Sequence, residues 1–471
     1  MTLIAIFLTM IGCGHSSRSG AGHETAAPHL RNEASTDDGH RHEEGAELLD
    51  PAVTSEATLH QIFAYADRHS PMLAVARSRR ARAQAVETAA SPLLPSNPEL
   101  HGGVGMRRTD VGGGVDFEVG LTQEIEIAGE RGARLGAAER FAELTRAEIE
   151  QARWLLHCDV HATFHRALLE RERTTLARAV VSFQEEVLRV VEQQIAAGET
   201  APLVLRLAQA EVAQARQMVV LSEQGYLGAR LELGRLAGWP AATPPTPIGV
   251  LDEPRDPPGI AELLAHARQH LPTLIALAAA VREAQAREEA AGREGWPRPS
   301  LGVAFQREGN PGPDGNVDII TGTLSLPIPS FQTNQGARAH AAADASIAQA
   351  ELDAAQAMLE SSIAQAHSEV RSAAERVRAY GAEILPRFDE NLTLLRRSFE
   401  LGEIDILALS VGRERFLRIQ SDALSAQLDY FVALSNLERL IGIELWHDEH
   451  NEHGLTDPQP TALPAAQETN P

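Results

Sequence analysis

Two hydrophobic rhythms alternate along the chain. Val115, Phe117, Val119 and Leu121 stand between Asp116, Glu118, Gly120 and Thr122. A period of two is the mark of a strand with one apolar face. Leu301, Val303 and Phe305 repeat it, and 317–326 supplies a partner strand. The segments 108–114 and 308–316 are turn material; the second reads Glu-Gly-Asn-Pro-Gly-Pro-Asp-Gly-Asn. The pattern therefore predicts two hairpins and four strands.

Elsewhere the rhythm is helical. Helices are predicted over 59–91 and 260–294, closed by Pro92, Pro95 and Pro98 or by Pro297 and Pro299. After each hairpin comes a Pro-poor run; residues 130–196 would extend about 100 Å at 1.5 Å per residue. Gly198 and Gly402 then supply turns, and a second helix returns from each. Eleven of the 21 residues from 337 to 357 are Ala, which favours close helix–helix approach over a thick core. Helices this long need neighbours, because propensity alone does not hold them.

The chain also reads twice. Arg235-Leu236-Ala237-Gly238 returns as Arg439-Leu440-Ile441-Gly442, an offset of 204. The same offset aligns Gly198-Glu199 with Gly402-Glu403, Leu203 and Leu205 with Leu407 and Leu409, and Gly132-Ala133-Arg134 with Gly336-Ala337-Arg338. His69-Ser70-Pro71-Met72-Leu73 matches His270-Leu271-Pro272-Thr273-Leu274 at offset 201. A constant spacing over separate landmarks indicates internal duplication. The expected organisation is a signal peptide over 1–12, a His-rich disordered tether over 13–55 and a first repeat over 56–240. A Pro-rich linker (241–259), a second repeat (260–446) and a disordered tail (447–471) follow.

Composition narrows the class. Hydrophobic residues make up 43% of the 471, but aromatics only 4%, which suits Ala- and Leu-rich helices. The net charge of −23 argues against a nucleic-acid partner, which needs positive charge to displace counterions. Cys13 and Cys158 are the only cysteines, so a disulfide framework and a Cys-based zinc site are ruled out. No apolar run reaches the roughly 20 residues of a transmembrane helix, so any membrane crossing must use strands. Four strands cannot close a barrel, and open edges are not tolerated in lipid. Three copies would supply twelve strands and a tube of helices.

At the N-terminus, residues 3–11 form a short apolar stretch before Gly12-Cys13. It is too short to span a bilayer but fits a secretory signal. Met10-Ile11-Gly12-Cys13 resembles a lipobox, which implies lipidation of Cys13 as the mature N-terminus; no Lys or Arg precedes it, so the true start is expected upstream.

Over nearly all of 56–445 the chain resembles the TolC-like outer-membrane efflux family. The duplicated unit, the helix–hairpin–helix–helix order and the two inter-helix segments 197–203 and 401–407 carry the resemblance, with Ile384-Leu385-Pro386 before Leu395 and Phe399. It implies a mainly α protein with a small β part: long antiparallel coiled-coil-like helices plus four strands per protomer. As a homotrimer these would form a 12-stranded transmembrane barrel continued by an α-helical tunnel. The implied partners are a periplasmic adaptor, an inner-membrane efflux pump and outer-membrane lipid. The implied location is the outer membrane of a Gram-negative bacterium, with a lipid anchor and a periplasmic tunnel. Gly198, Leu203, Gly402 and Leu407 become the adaptor-docking tip. Family members often close the tip with acids six and nine positions after the second tip glycine. Those positions are Ala408 and Val411 here, which leaves Glu403, Asp405 and Glu414 as gate candidates.

The expected function is passive conduction of substrate through a tripartite efflux system, with heavy-metal cations as cargo. Organic compounds are the alternative cargo, and a periplasmic coiled-coil scaffold the alternative protein. Imidazole favours Zn, Cu, Ni and Co. His40 and His42, and the tail residues His447, His450 and His453, are weak metal candidates. His157, His161 and His165, with Cys158 beside them, share one helix face but show no nearby carboxylate in the sequence to complete a site. No phosphate-cradling loop or nucleophile motif is present, and Gly102-Gly103-Val104-Gly105 lies between strand and turn. Neither an enzyme nor a cofactor is expected.

Overall fold

The computed structural model describes residues 55–110, 112–198, 201–251, 253–309, 315–401 and 403–446. The first half runs α1 (Leu59–His69), α2 (Pro71–Ala90), β2 (Glu99–Thr109), β3 (Gly112–Glu124), α3 (Glu130–Ala196) and α4 (Pro202–Ala237). The second runs α5 (Ile260–His270), α6 (Pro272–Arg293), β5 (Ser300–Glu308), β6 (Val317–Ser325), α7 (Gln335–Ala379), α8 (Leu385–Glu400) and α9 (Ile406–Ile441). Two short strands, β1 (Glu56–Ala57) and β4 (Thr246–Pro247), pair in parallel and join the chain's entry to the inter-repeat segment.

Each expected first helix is two helices. Ser70 and Leu271 precede prolines and adopt extended ψ values of 124° and 116°. The proline ring disfavours α geometry in the residue before it, so the helices over 59–91 and 260–294 break at that corner. The prolines then begin α2 and α6, where a missing N–H is harmless.

The corner is held in both halves by a glycine from another helix. α4 and α9 end at Gly238 and Gly442, each with φ of 78°. A Cβ on Gly238 would fall on the carbonyl of His69; one on Gly442 would meet Leu271 and Pro272. Left-handed backbone and close approach both demand glycine there.

α3 is a single helix of 67 residues. Its counterpart is jointed: α7 passes through a π-helical turn, Tyr380–Ile384, into α8. Pro386 explains the joint. It lacks an N–H, and its ring crowds the carbonyl four residues back. The ladder widens, and Leu385 N–H donates to Tyr380 O five residues earlier.

The helices pack into three apolar clusters. One joins Leu263, Ile363, Val370, Phe431 and Leu437; another joins Ile62, Leu73, Phe164, Leu168 and Leu233. The third lies near Gly198 and holds Val187, Val191, Ala208 and Leu409, with Leu205, Leu395 and Phe399 against them. The larger sheet has the order β2-β3-β5-β6, antiparallel throughout. Among the described residues no helix is long and apolar enough to cross a membrane.

Candidate functional site

The sheet presents two chemically opposed faces. Register places Leu121 beside Leu100 and Val303, Val119 beside Phe305, and Phe305 beside Ile320. Phe117 and Val104 form the next row, which Arg307 and Asp318 continue on β5 and β6; Val115 and Met106 form the one after, while Leu301 and Leu324 extend the band the other way. No described element covers this face: Val104 is 81% exposed, Met106 87% and Ile320 78%. Five rows cover about 27 Å along the strands, or about 21 Å of height at a 40° tilt, close to the ~25 Å apolar band of an outer-membrane barrel. Phe117 and Phe305 lie 5.9 Å apart, with the Arg307 guanidinium 5.9 Å from each ring. Arg307 also reaches Asp318 at 2.6 Å.

The opposite face carries Asp116, Glu118, Thr122, Gln306, Thr321 and Thr323. Arg107 there pairs with Asp116 at 3.1 Å and Glu308 at 2.9 Å, and Asp116 accepts the Gly309 N–H at 2.8 Å. The outer strands β2 and β6 each have one edge with no neighbour in the sheet.

At the far end of the helices, Gly198 leaves α3 with φ of 77° and open space where a Cβ would stand. Leu203, in the first turn of α4, is 77% exposed, whereas Leu205 packs into the apolar cluster there. Gly402 lies outside the described residues, as does the side chain of Leu407, whose backbone opens α9. Of the three gate candidates, Asp405 caps α9 by accepting the Ala408 N–H at 2.7 Å. Glu414 pairs with Arg418 on its own helix at 2.8 Å, and Glu403 is exposed. Composition gave no hint of the arginines that organise this end. Arg413 sits 4.6 Å from the Phe183 ring, and Arg396 bonds Glu186 at 2.9 Å, tying α8 to α3.

The histidine column of α3 lies against α9, and here the structure corrects the sequence. Two carboxylates do stand nearby: Glu438 Oε2 is 3.6 Å from His161 Nδ1, and Glu444 Oε2 is 3.5 Å from His157 Nε2. They come from more than 270 residues away, beyond the reach of spacing arguments. Burial pushes His161 well below its ordinary pKa, with His165 and His157 adding to the effect; burial, aided by Glu444, raises Glu438 well above its own. Burial thus disfavours the charged form of each. His165 donates from Nδ1 to the His161 carbonyl at 2.9 Å and stacks on Phe431 at 4.1 Å. His157 stacks on Phe63 at 4.0 Å. Ser435 bonds the carbonyl of Cys158 at 2.9 Å; burial raises that thiol's pKa strongly, so it is no ready ligand. Arg439 pairs with Asp159 beside them. Among the described residues no group of three or more His, Cys, Asp or Glu is arranged to hold a metal. The column is a packed seam between the repeats. Cys13, His40, His42, His447, His450 and His453 lie outside the described residues.

A four-stranded sheet with a bare apolar face and open edges, mounted on helices of up to 67 residues, is the build of a protein that meets a membrane with its strands. The chain belongs to the Outer membrane efflux protein family, whose model matches residues 65–239 and 263–443. It is an outer-membrane efflux channel. It is 23% identical over 320 residues to the cobalt-zinc-cadmium resistance protein CzcC of Cupriavidus metallidurans, covering 68% of this chain and 75% of that protein. Over 184 residues it is 33% identical to the pyoverdine export outer membrane protein OpmQ of Pseudomonas aeruginosa, covering 36% of this chain and 38% of that one. Crystal structures of CusC, which address its folding and transmembrane channel formation, superpose with a TM-score of 0.66. That match has 16% identity and covers 82% of this chain and 92% of that one. Channels of this family are passive, assemble as trimers and work with an adaptor and an inner-membrane pump.

Proposed function

We propose that three copies of this chain form the outer-membrane duct of a tripartite system that exports heavy-metal cations. The bare apolar sheet face carries the channel part of this reading. Each sheet supplies four strands, and β2 of one copy against β6 of the next closes twelve. The apolar rows then meet lipid, and Asp116 and Glu118 face the aqueous lumen. Full hydrogen bonding of both edges is the driving condition, since an unpaired strand is not tolerated in hydrocarbon.

The cargo assignment rests on the similarity to a cobalt-zinc-cadmium resistance protein over 320 residues. A net charge of −23 suits a cation-conducting lumen. Organic export is the second reading, favoured by the shorter match to a pyoverdine exporter. Deleting the gene and measuring growth separates them. Loss of tolerance to cobalt, zinc or cadmium, restored by the wild-type chain, supports metals; metal tolerance unchanged with loss of tolerance to organic compounds refutes them.

Within this reading Cys13 is the lipidated mature N-terminus after removal of 1–12, and 13–55 tethers the first repeat, 56–240, to the membrane. The linker 241–259 leads to the second repeat, 260–446, and the tail 447–471. Gly198, Leu203, Gly402 and Leu407 form the docking tip for the adaptor. The contacts of Arg396 to Glu186 and of Arg413 to Phe183 tie α8 and α9 to α3 at this end. Glu403 remains the acid free to face the tunnel mouth, with Asp405 and Glu414 engaged on α9.

A further inference from the structure

Four helices stand in a row: α2 lies on α3, α3 on α6 and α6 on α7. An ion pair crosses each joint, and the three share a pattern. Arg79 of α2 reaches Glu148 of α3 at 3.0 Å, Arg282 of α6 reaches Glu143 of α3 at 3.9 Å, and Arg287 of α6 reaches Asp344 of α7 at 3.3 Å. The arginine always comes from α2 or α6, and the acid from α3 or α7. The two ends of the row hold what a fourth such joint needs. α2 carries four arginines against one acid, Glu87, while α7 has five acids and no Lys or Arg from 339 to 370. Arg82 of α2 meets the ring of Phe141, 5.7 Å from its guanidinium, and no acid. Glu351 of α7 has no ion-pair or hydrogen-bond partner among the described residues.

The internal duplication supplies the geometry. Within the chain α3 packs antiparallel on α6, with Gln151 3.4 Å from Thr273 and Glu143 beside Arg282. Shifted by 204 and 201, the same register sets Ala355 of α7 level with Met72 of α2, and Ile347 level with Ala81. Helical periodicity then fixes the faces that meet. Val75 stands where α6 has the buried Ala276, one turn from Thr273. Ile347 and Met358 stand where α3 has Glu143 and Trp154. All three apolar side chains are bare: Val75 is 63% exposed, Ile347 58% and Met358 64%. Arg82 and Glu351 lie on the same two stripes, within about two turns of level. Helical side chains lean toward their own N-termini. In an antiparallel pair those directions are opposed, so Arg82 and Glu351 lean toward each other.

We propose that α7 of one copy docks antiparallel on α2 of the next, with Ile347 and Met358 against Val75 and Met72 and with Glu351 paired to Arg82. The inference rests on the three-copy reading of the channel and names the helical surfaces that close it. Unlike flanks joined head to tail make a ring when the rotation closes. Opposite charge on the two flanks selects that order, because α2 against α2, or α7 against α7, sets like charges face to face.

The test uses the full chain purified in detergent, carrying Arg82→Cys together with Glu351→Cys, treated with a short bismaleimide and read on a denaturing gel. α3 and α6 separate the two positions within a chain, so a link between them must join two copies. The expected result is a ladder ending at covalent trimer with loss of the monomer band, given by the double variant and by neither single one. Arg82→Cys with Gln349→Cys controls for the face, since Gln349 lies about 160° around α7 from Glu351 and should not link. Independently, Arg82→Glu and Glu351→Arg should each lower the temperature at which the trimer dissociates, and the two together should restore it. A wild-type chain that is monomeric by native mass would end the three-copy reading and the inference with it. With a wild-type trimer, the inference alone is overturned if the trimeric 82–351 variant gives no ladder or if Gln349→Cys links as well. It is equally overturned if the double reversal dissociates as readily as the single ones.

Discussion

A single charged residue on either side of β3 separates a membrane barrel from a soluble hairpin. Val119 is the middle row of the apolar face, flanked by Gly102 on β2 and Phe305 on β5. Glu118, its chain neighbour, points to the opposite face and is exposed. An arginine on the lipid face at the bilayer midplane costs about 2–4 kcal/mol. Three copies multiply Val119→Arg to about 6–12 kcal/mol per barrel, or at least a ten-thousandfold loss of inserted trimer at 1.4 kcal/mol per factor of ten. Glu118→Arg places the same side chain in water and should insert normally. Heat-modifiable trimer bands in outer-membrane fractions provide the readout. Equal insertion of both variants would refute the orientation of the sheet, and failure of Glu118→Arg alone would invert it.

Two glycines with nearly the same left-handed φ, Gly198 and Gly238, offer a contrast. Gly198→Ala meets open space and should cost only the backbone strain of about 1–2 kcal/mol, while Gly238→Ala must also displace the His69 carbonyl. Trimer dissociation temperature should therefore fall little in the first and steeply in the second; equal falls would remove the corner-locking argument. Glu438→Gln keeps the acceptor for the Leu445 N–H but abolishes ionisation. The raised pKa of Glu438 means that its contribution is fully present below the unfolded value near 4.5 and is lost as pH rises through the folded one. The variant should thus exceed wild type in thermal resistance at pH 8 and converge with it toward pH 5. A deficit at pH 8 would contradict the upward shift at Glu438. Leu203→Asp with Leu407→Asp should abolish export while trimers still insert; loss of the trimer itself would make these residues structural, and intact export would end the docking proposal. Cys13→Ser should abolish labelling by a fatty-acid analogue, and persistent labelling would sink the lipid anchor.

Much of this architecture was legible because its causes are local. The alternation from Val115 to Leu121 and from Leu301 to Phe305 states which residues share a face before any coordinates exist. The duplicated Arg-Leu-x-Gly segments mark the repeat, and the structure shows that each closes a helix with a left-handed glycine. Other features depend on partners that spacing cannot name. The pairing of Glu56–Ala57 with Thr246–Pro247 joins segments 190 residues apart. The meeting of His161 with Glu438 required knowing that α3 lies on α9. The broken first helices arose from local chemistry that composition of the whole segment concealed: Ser70-Pro71 and Leu271-Pro272 outweigh the helical rhythm on either side. The π-turn before Pro386 reflects how a single missing donor is absorbed, which a residue count does not reveal.

The histidine seam has a consequence for assembly. Shifted by 204, His157, His161 and His165 become Ser361, Gln365 and Glu369 on α7, while Glu438 maps back to Gly234 on α4. Those α7 residues are exposed, with Gln365 bonded only to Glu369 one turn on at 3.0 Å. In a closed ring of three, six near-equivalent joints would alternate between two chemistries. Three are dry, aromatic and formed within a chain as it folds. The other three would draw on the exposed Ser361, Gln365 and Glu369 of α7 and wait for a neighbour. Such a ring would close on two unlike flanks, one completed when the chain folds and the other only when a neighbour arrives.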